Sequence, residues 1–132
     1  MAILDVNLEA VLPETEQPLP TGDYPCRVAD SLLIRSKSGR PLLKLVYDVT
    51  HGPFQGRQVV DAMLLDHEAG LTRLKTLALR AGHPAPGRLH DSEELHGLRF
   101  TARVALEHSE TGQSPPRNLV RAYRPAQDAP AA

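Results

Sequence analysis

Apolar and polar residues alternate in two-residue steps along most of this chain, and the phase of that alternation predicts strands. Cys26, Val28, Leu32 and Ile34 form a first apolar row, and Leu43, Leu45, Tyr47 and Val49 a second. Val60, Ala62 and Leu64 continue the pattern as a third. The breaks are Ser36-Lys37-Ser38-Gly39-Arg40 and His51-Gly52-Pro53-Phe54-Gln55-Gly56, each with glycine where a tight turn needs positive φ. Gly22 to Leu65 therefore reads as three consecutive antiparallel strands. The period then changes. Leu71, Leu74, Ala78 and Ala81 recur at helical spacing, with Asp66 as N-cap, Glu68 in the first turn, Arg80 in the last and Gly82 just beyond. Arg73, Lys75 and Arg80 fall off that stripe, on a solvated face. A loop with Pro84, Pro86 and Gly87 leads to Asp91-Ser92-Glu93-Glu94, a capping box that opens one helical turn stopped by Gly97. Leu98, Phe100, Ala102, Val104 and Leu106 then alternate with Arg99, Thr101, Arg103, Ala105 and Glu107 as a half-buried strand. A polar loop from His108 to Arg117 precedes a last strand, Asn118 to Tyr123, in which Arg121 and Tyr123 share one face.

The order is strand-strand-strand-helix-strand-strand. It predicts a mainly β protein with one helix, an OB-fold-like five-stranded partly open barrel with the helix between strands 3 and 4. A plain α+β sheet with a packed helix has the same element order, since strand neighbours are not written in sequence. Residues 1–21 read as an acidic, proline-containing arm, 22–124 as the OB-like domain, and 125–132, rich in alanine and proline, as a disordered tail.

Composition narrows the class. The chain has 132 residues, enough for one domain with a real core, and a charged fraction of 23% is ordinary for a soluble globular protein. No apolar run approaches the roughly 20 residues of a membrane span, and no charged-then-apolar leader opens the chain. A cytoplasmic protein is expected. The single Cys26 stands at an inward strand position and reads as a buried inert thiol. The formal net charge of −1 conceals an asymmetry. Before Tyr24 every charged side chain is acidic; from Tyr24 onward 15 basic residues face 11 acids, a net of +4. A polyanion responds to such local excess and not to the average.

Catalytic chemistry is hard to find. The six histidines are scattered, no His-x-x-x-His or Cys-x-x-Cys spacing occurs, and no phosphate-binding glycine loop is present. Asp61, Asp66 and Glu68 could hold a divalent ion, but a helix cap and a first-turn charge explain the last two more simply. Neither Ser36 nor Ser38 has a neighbouring base. No catalytic residue, metal site or cofactor is assigned, and no enzyme is expected. In an OB-like barrel the second and third strands, with the loops joining strands 1–2 and 4–5, form the binding face. Those loops carry Lys37, Arg40 and Arg117, and Lys44, Arg57, Arg99, Arg103 and Arg121 complete a cationic surface. Single-strand binding also uses flat side chains, worth roughly 1–3 kcal/mol for each base stacked. Tyr24, Tyr47 and Phe100 fall to the core, which leaves Phe54 and Tyr123 as stacking candidates.

Four segments resemble a phage family: Pro20-Thr-Gly-Asp-Tyr24, Lys37-Ser-Gly-Arg-Pro-Leu-Leu-Lys-Leu-Val-Tyr47, Gly52-Pro-Phe-Gln-Gly-Arg57 and Asp91-Ser-Glu-Glu-Leu-His-Gly97. In order and spacing, over roughly Pro18 to Pro125, the chain is similar to the domain-of-unknown-function family 669 of phage replication and recombination regions. Where relatives carry an aromatic after the Gly-Arg strand, this chain has Asp61-Ala62-Met63-Leu64-Leu65. The resemblance implies a single-stranded-DNA-binding or recombination-accessory protein in a bacterial host. Its partners would be single-stranded DNA and a phage recombinase or replication protein; its edge strands would permit a homo-oligomer, and no membrane is involved. The competing expectation is a protein–protein adaptor or inhibitor that uses the same scaffold without binding DNA.

Overall fold

A computed structural model describes residues 2–7, 18–108 and 116–126. The expected tail beyond 126, most of the loop between the last two strands and residues 8–17 of the arm lie outside the described residues. The elements are β1 (Gly22–Arg35), β2 (Pro41–Val49), β3 (Gln58–Leu64), α1 (Glu68–Arg80), β4 (Arg99–Glu107) and β5 (Arg117–Pro125), with a 3-10 turn at Ser92–Leu95. The strands make one antiparallel sheet in the order β3-β2-β1-β4-β5, not closed, and the one α-helix among the described residues falls between β3 and β4. This is the expected OB-like arrangement. β1 is 14 residues long because two partners share it: Gly22 to Arg27 pair with β4 and Cys26 to Arg35 with β2.

The second half of β1 does not keep the phase of the first. The register skips Ala29 between Val28 and Asp30, a bulge that turns the strand over. Tyr24, Cys26 and Val28 are buried before it; after it Leu32 and Ile34 stand on the outer side, against expectation, and Leu33, though paired with buried Leu43, is 63% exposed. β3 is inverted too. Val59, Asp61 and Met63 are buried, whereas Val60, Ala62 and Leu64 form the outer row. The apolar set was the wrong choice there because an acid faces in, and it can do so only because every oxygen is met. Asp61 accepts hydrogen bonds from Tyr47 Oη at 2.9 Å, from Arg73 at 2.6 Å and from Tyr123 Oη.

The helix is shifted as well. His67, not Asp66, is the N-cap: its Nδ1 accepts from the Ala69 amide, and Asp66 is instead held by Arg40. Leu71 is exposed, and the buried positions are Gly70, Leu77 and Ala78. Gly70 has a packing reason: a Cβ there would stand 1.9 Å from the Leu64 carbonyl oxygen, so only glycine lets the helix sit this close to the end of β3. That approach carries Arg73 into the protein instead of into solvent. Arg73 donates to Asp61 and to the Ala62 carbonyl of β3, and to Tyr123 Oη and the Val120 carbonyl of β5. The two edge strands, which no ladder joins, are laced by one guanidinium.

The core lies between the sheet and α1, with Tyr47 edge-on to Phe100 at 4.8 Å and Phe100 tilted against Tyr123 at 6.0 Å. Burial pushes the Cys26 thiol up to about 12, which keeps it protonated and unreactive, as expected. Leu19, assigned to the arm by its sequence, belongs to this core, and the Asn118 side chain holds both its amide and its carbonyl at 2.8 Å. The Asp91–Glu94 capping box and the positive φ of Gly82 beyond α1 match expectation.

Candidate nucleic-acid interface

Directly paired residues of antiparallel strands point to the same side of the sheet. The register therefore assembles a surface no single segment contains. Arg27 pairs with Arg99, Thr101 with Arg124, Asp23 with Arg103, and Glu107 with Arg117. All stand opposite the buried set Tyr24, Cys26, Phe100 and Ala102. Arg121 is the extra residue of a bulge in β5, between the Arg103–Ala122 and Val104–Val120 pairs. The bulge separates it from Tyr123: Arg121 is exposed and Tyr123 is buried, so they do not share a face as expected.

The outer face of β1, β4 and β5, with Asp48 of β2 beside it, thus carries six arginines and four carboxylates, Asp23, Asp30, Asp48 and Glu107. Asp23 is shared by Arg103 at 3.6 Å and Arg124 at 3.4 Å, and Glu107 by Arg117 at 3.1 Å and Arg121 at 3.9 Å. Asp48 meets Arg27 at 3.4 Å, beside Arg99. These pairs are solvent-exposed, and exposed ion pairs are worth roughly 0–1 kcal/mol. A phosphate oxygen arriving at this face competes with carboxylates that already divide their charge between two guanidinium groups.

The expected site residues separate. Arg99, Arg103, Arg117 and Arg121 come together here, joined by Arg27 and Arg124, which an expected face on strands 2 and 3 leaves out although both occupy outward positions in β1 and β5. Lys37 lies in the β1–β2 turn, and Arg40 makes a two-pronged bond to Asp66, at 3.0 Å from each of two nitrogens, that pins this turn to the β3–α1 connection. The same bond holds the Asp66 carboxyl below its ordinary range. Lys44 stands on the outer face of β1–β2–β3 between Leu32 and Ala62. Arg57 is half-buried where β3 begins, close enough to Tyr24 to oppose the upward push that burial gives that hydroxyl.

Neither stacking candidate offers a ring. Phe54 packs edge-on against Tyr24 at 5.8 Å and against the core. Tyr123 is 7% exposed, its hydroxyl bound to Asp61 and Arg73, with burial first and the Asp61 charge second raising its pKa. The arginine face presents charge and no aromatic ring.

A second polar cluster also went unforeseen. Ser31 Oγ lies 2.6 Å from Ser92 Oγ and 2.8 Å from His96 Nε2, tying the 3-10 turn to β1 just past its bulge. Among the described residues no group of three or more His, Cys, Asp or Glu is placed to hold a metal, and no helix is long and apolar enough to cross a membrane. No protein-family model matches the chain, and no curated protein matches it.

Proposed function

We propose that this protein binds single-stranded nucleic acid through phosphate contacts from the arginines of β1, β4 and β5. The observation that carries the reading is the outer face on which six arginines stand against four carboxylates, Asp23 and Glu107 each divided between two of the arginines. The OB-like strand order is an architecture that takes oligonucleotides on its second and third strands, whereas the arginines here stand on β1, β4 and β5. The resemblance read from the sequence extends the proposal to phage or prophage DNA replication or recombination in the cytoplasm of a bacterial host. Without exposed aromatic rings, affinity comes from counterion release and falls steeply with salt.

The test is a fluorescence titration of a labelled deoxythymidine oligonucleotide at several salt concentrations. Log affinity against log salt is expected to fall with a slope of roughly −2 to −4, at about −0.7 for each phosphate contact. Arg103→Ala with Arg121→Ala weakens binding, and Lys44→Ala on the other face does not. No binding even at about 50 mM salt overturns the proposal.

A second reading, an adaptor that meets another protein and not DNA, is favoured by one observation. The outer face of β1–β2–β3 is apolar: Leu32 is 58% and Val60 48% exposed, with Leu42 and Val46 half-buried beside them. It predicts no oligonucleotide affinity and a defined co-purifying protein.

A further inference from the structure

We propose that the pocket beside the β2–β3 turn takes the phosphorylated end of a nucleic-acid strand, a phosphomonoester dianion; this rests on the nucleic-acid reading and names the ligand at one end of the arginine face. The pocket, of about 380 Å³, lies between Arg27 of β1, Arg99 of β4, Asp48 of β2 and the turn residues His51 and Gln55. Arg27 and Arg99 are paired directly across β1 and β4, so both guanidinium groups rise from one rung on the same side of the sheet.

The turn is a wall built before any ligand arrives. The Thr50 amide donates to the Pro25 carbonyl of β1 at 2.9 Å, and the Gly56 amide to the Val49 carbonyl at 2.9 Å. Phe54, inside the turn, is held edge-on by Tyr24 and packs on the core. Thr50 Oγ1 donates to the Pro25 carbonyl at 3.3 Å and so accepts from His51 Nδ1 at 2.8 Å. That bond fixes the imidazole, whose second nitrogen, Nε2, donates to an anion when the ring is protonated. A preformed wall lowers the ordering cost of binding.

Charge favours an anion. Asp48 is the one acid lining the pocket, against two arginines. Its bond to Arg27 is long, 3.4 Å, and half of the Arg27 side chain is exposed. When Arg27 turns to a ligand, Asp48 keeps the Gln58 side-chain amide at 3.2 Å, so the exchange leaves no carboxylate without a partner. Position favours a chain end. Arg99 is the first residue of β4, and the arginine face runs from it past Arg103 toward Glu107. On the β2 side a strand following those arginines meets the Asp48 carboxylate and the turn. An internal phosphodiester there carries one charge and needs a way out on both sides. A terminal phosphomonoester needs one, carries about −1.5 to −2 charge near pH 7 and offers three acceptor oxygens. Two guanidinium forks suit that group.

The test is the fluorescence titration of deoxythymidine oligonucleotides of one length carrying a 5′-phosphate, a 3′-phosphate or hydroxyls at both ends. One phosphorylated form is expected to bind several-fold tighter than the hydroxyl form. Arg27→Ala and His51→Ala, each with unchanged circular dichroism, bring that ratio towards one, whereas Arg121→Ala weakens all three forms and keeps it. Equal affinities overturn this proposal and leave the nucleic-acid reading standing; no binding of any form at about 50 mM salt overturns both. A preference that survives both pocket substitutions is an effect of added charge alone and overturns it too. Inorganic phosphate, followed through the His51 ring signals by NMR, separates the sources of the dianion. A His51 response without any end preference among the oligonucleotides assigns the pocket to a free phosphorylated compound and overturns the strand-end proposal.

Discussion

Asp61 and Asp23 are both carboxylates met by arginine, and they do opposite things. Asp61 has a side chain only 4% exposed and is closed in by Arg73, Tyr47 and Tyr123. Burial and the Asp61 charge raise both tyrosine hydroxyls above their ordinary value, so all donors stay protonated and the cluster stays intact. Asp23 is 42% exposed and divided between Arg103 and Arg124 at longer distances. The ions are the same and the burial differs. A buried ion with every lone pair used is a structural joint, here the one that laces β3 to β5. An exposed carboxylate screened by water holds its arginines loosely, and they can turn to a phosphate.

The comparison can be broken from its strong end first. Asp61→Ala leaves Arg73 and two buried hydroxyls without their acceptor, and should cost about 3–5 kcal/mol in urea unfolding. A loss below 1 kcal/mol would mean that the cluster is not a joint. Gly70→Ala is next. The added methyl meets the Leu64 carbonyl, lifts α1 and withdraws Arg73, for an expected loss of about 1–3 kcal/mol in the same measurement.

At the weak end the sign reverses. Asp23→Ala should change stability by less than about 0.5 kcal/mol and tighten oligonucleotide binding several-fold, since Arg103 and Arg124 lose their competitor. Weaker binding in the titration would show that Asp23 orients those arginines instead of restraining them. Between the extremes stands Glu94, exposed, bonded at 2.9 Å to buried His83 and to the amides of His90 and Asp91. The His83 bond first, and the Asp91 amide second, hold its carboxyl below the ordinary 4.5. A depressed carboxylate stabilises the fold above that value and loses its contribution as pH falls through its folded one. The melting temperature of the native protein should therefore decline below about pH 4.5, and Glu94→Gln should flatten that decline.

Where local rules act alone, the chain was legible. Turn glycines, the Asp91 capping box, the Gly82 stop and, save for buried Thr101, the alternation of β4 were each readable because one residue and its near neighbours decide them. The failures share a cause. Bulges at Ala29 in β1 and Arg121 in β5 shift the two-residue phase without any compositional mark, so Leu32, Ile34 and Tyr123 fell on the wrong sides. In β3 the apolar row looked like the inner one, because what makes Asp61 tolerable inside is a pair of tyrosines and an arginine 12 to 62 residues away. The candidate site was half readable for the same reason. Its arginines were visible as charge, but their grouping depended on which strands neighbour β1.

Element order, the single helix, the turns and the cationic excess after Tyr24 are written in the linear chain, because propensity, period and charge act over a few residues. Which of those cations share a surface, which acid is buried, and that β3 and β5 end as edges laced by Arg73 were decided only by the tertiary structure. Register and burial are set by contacts between residues far apart in sequence, and a two-residue period carries no information about a bulge that moves it by one.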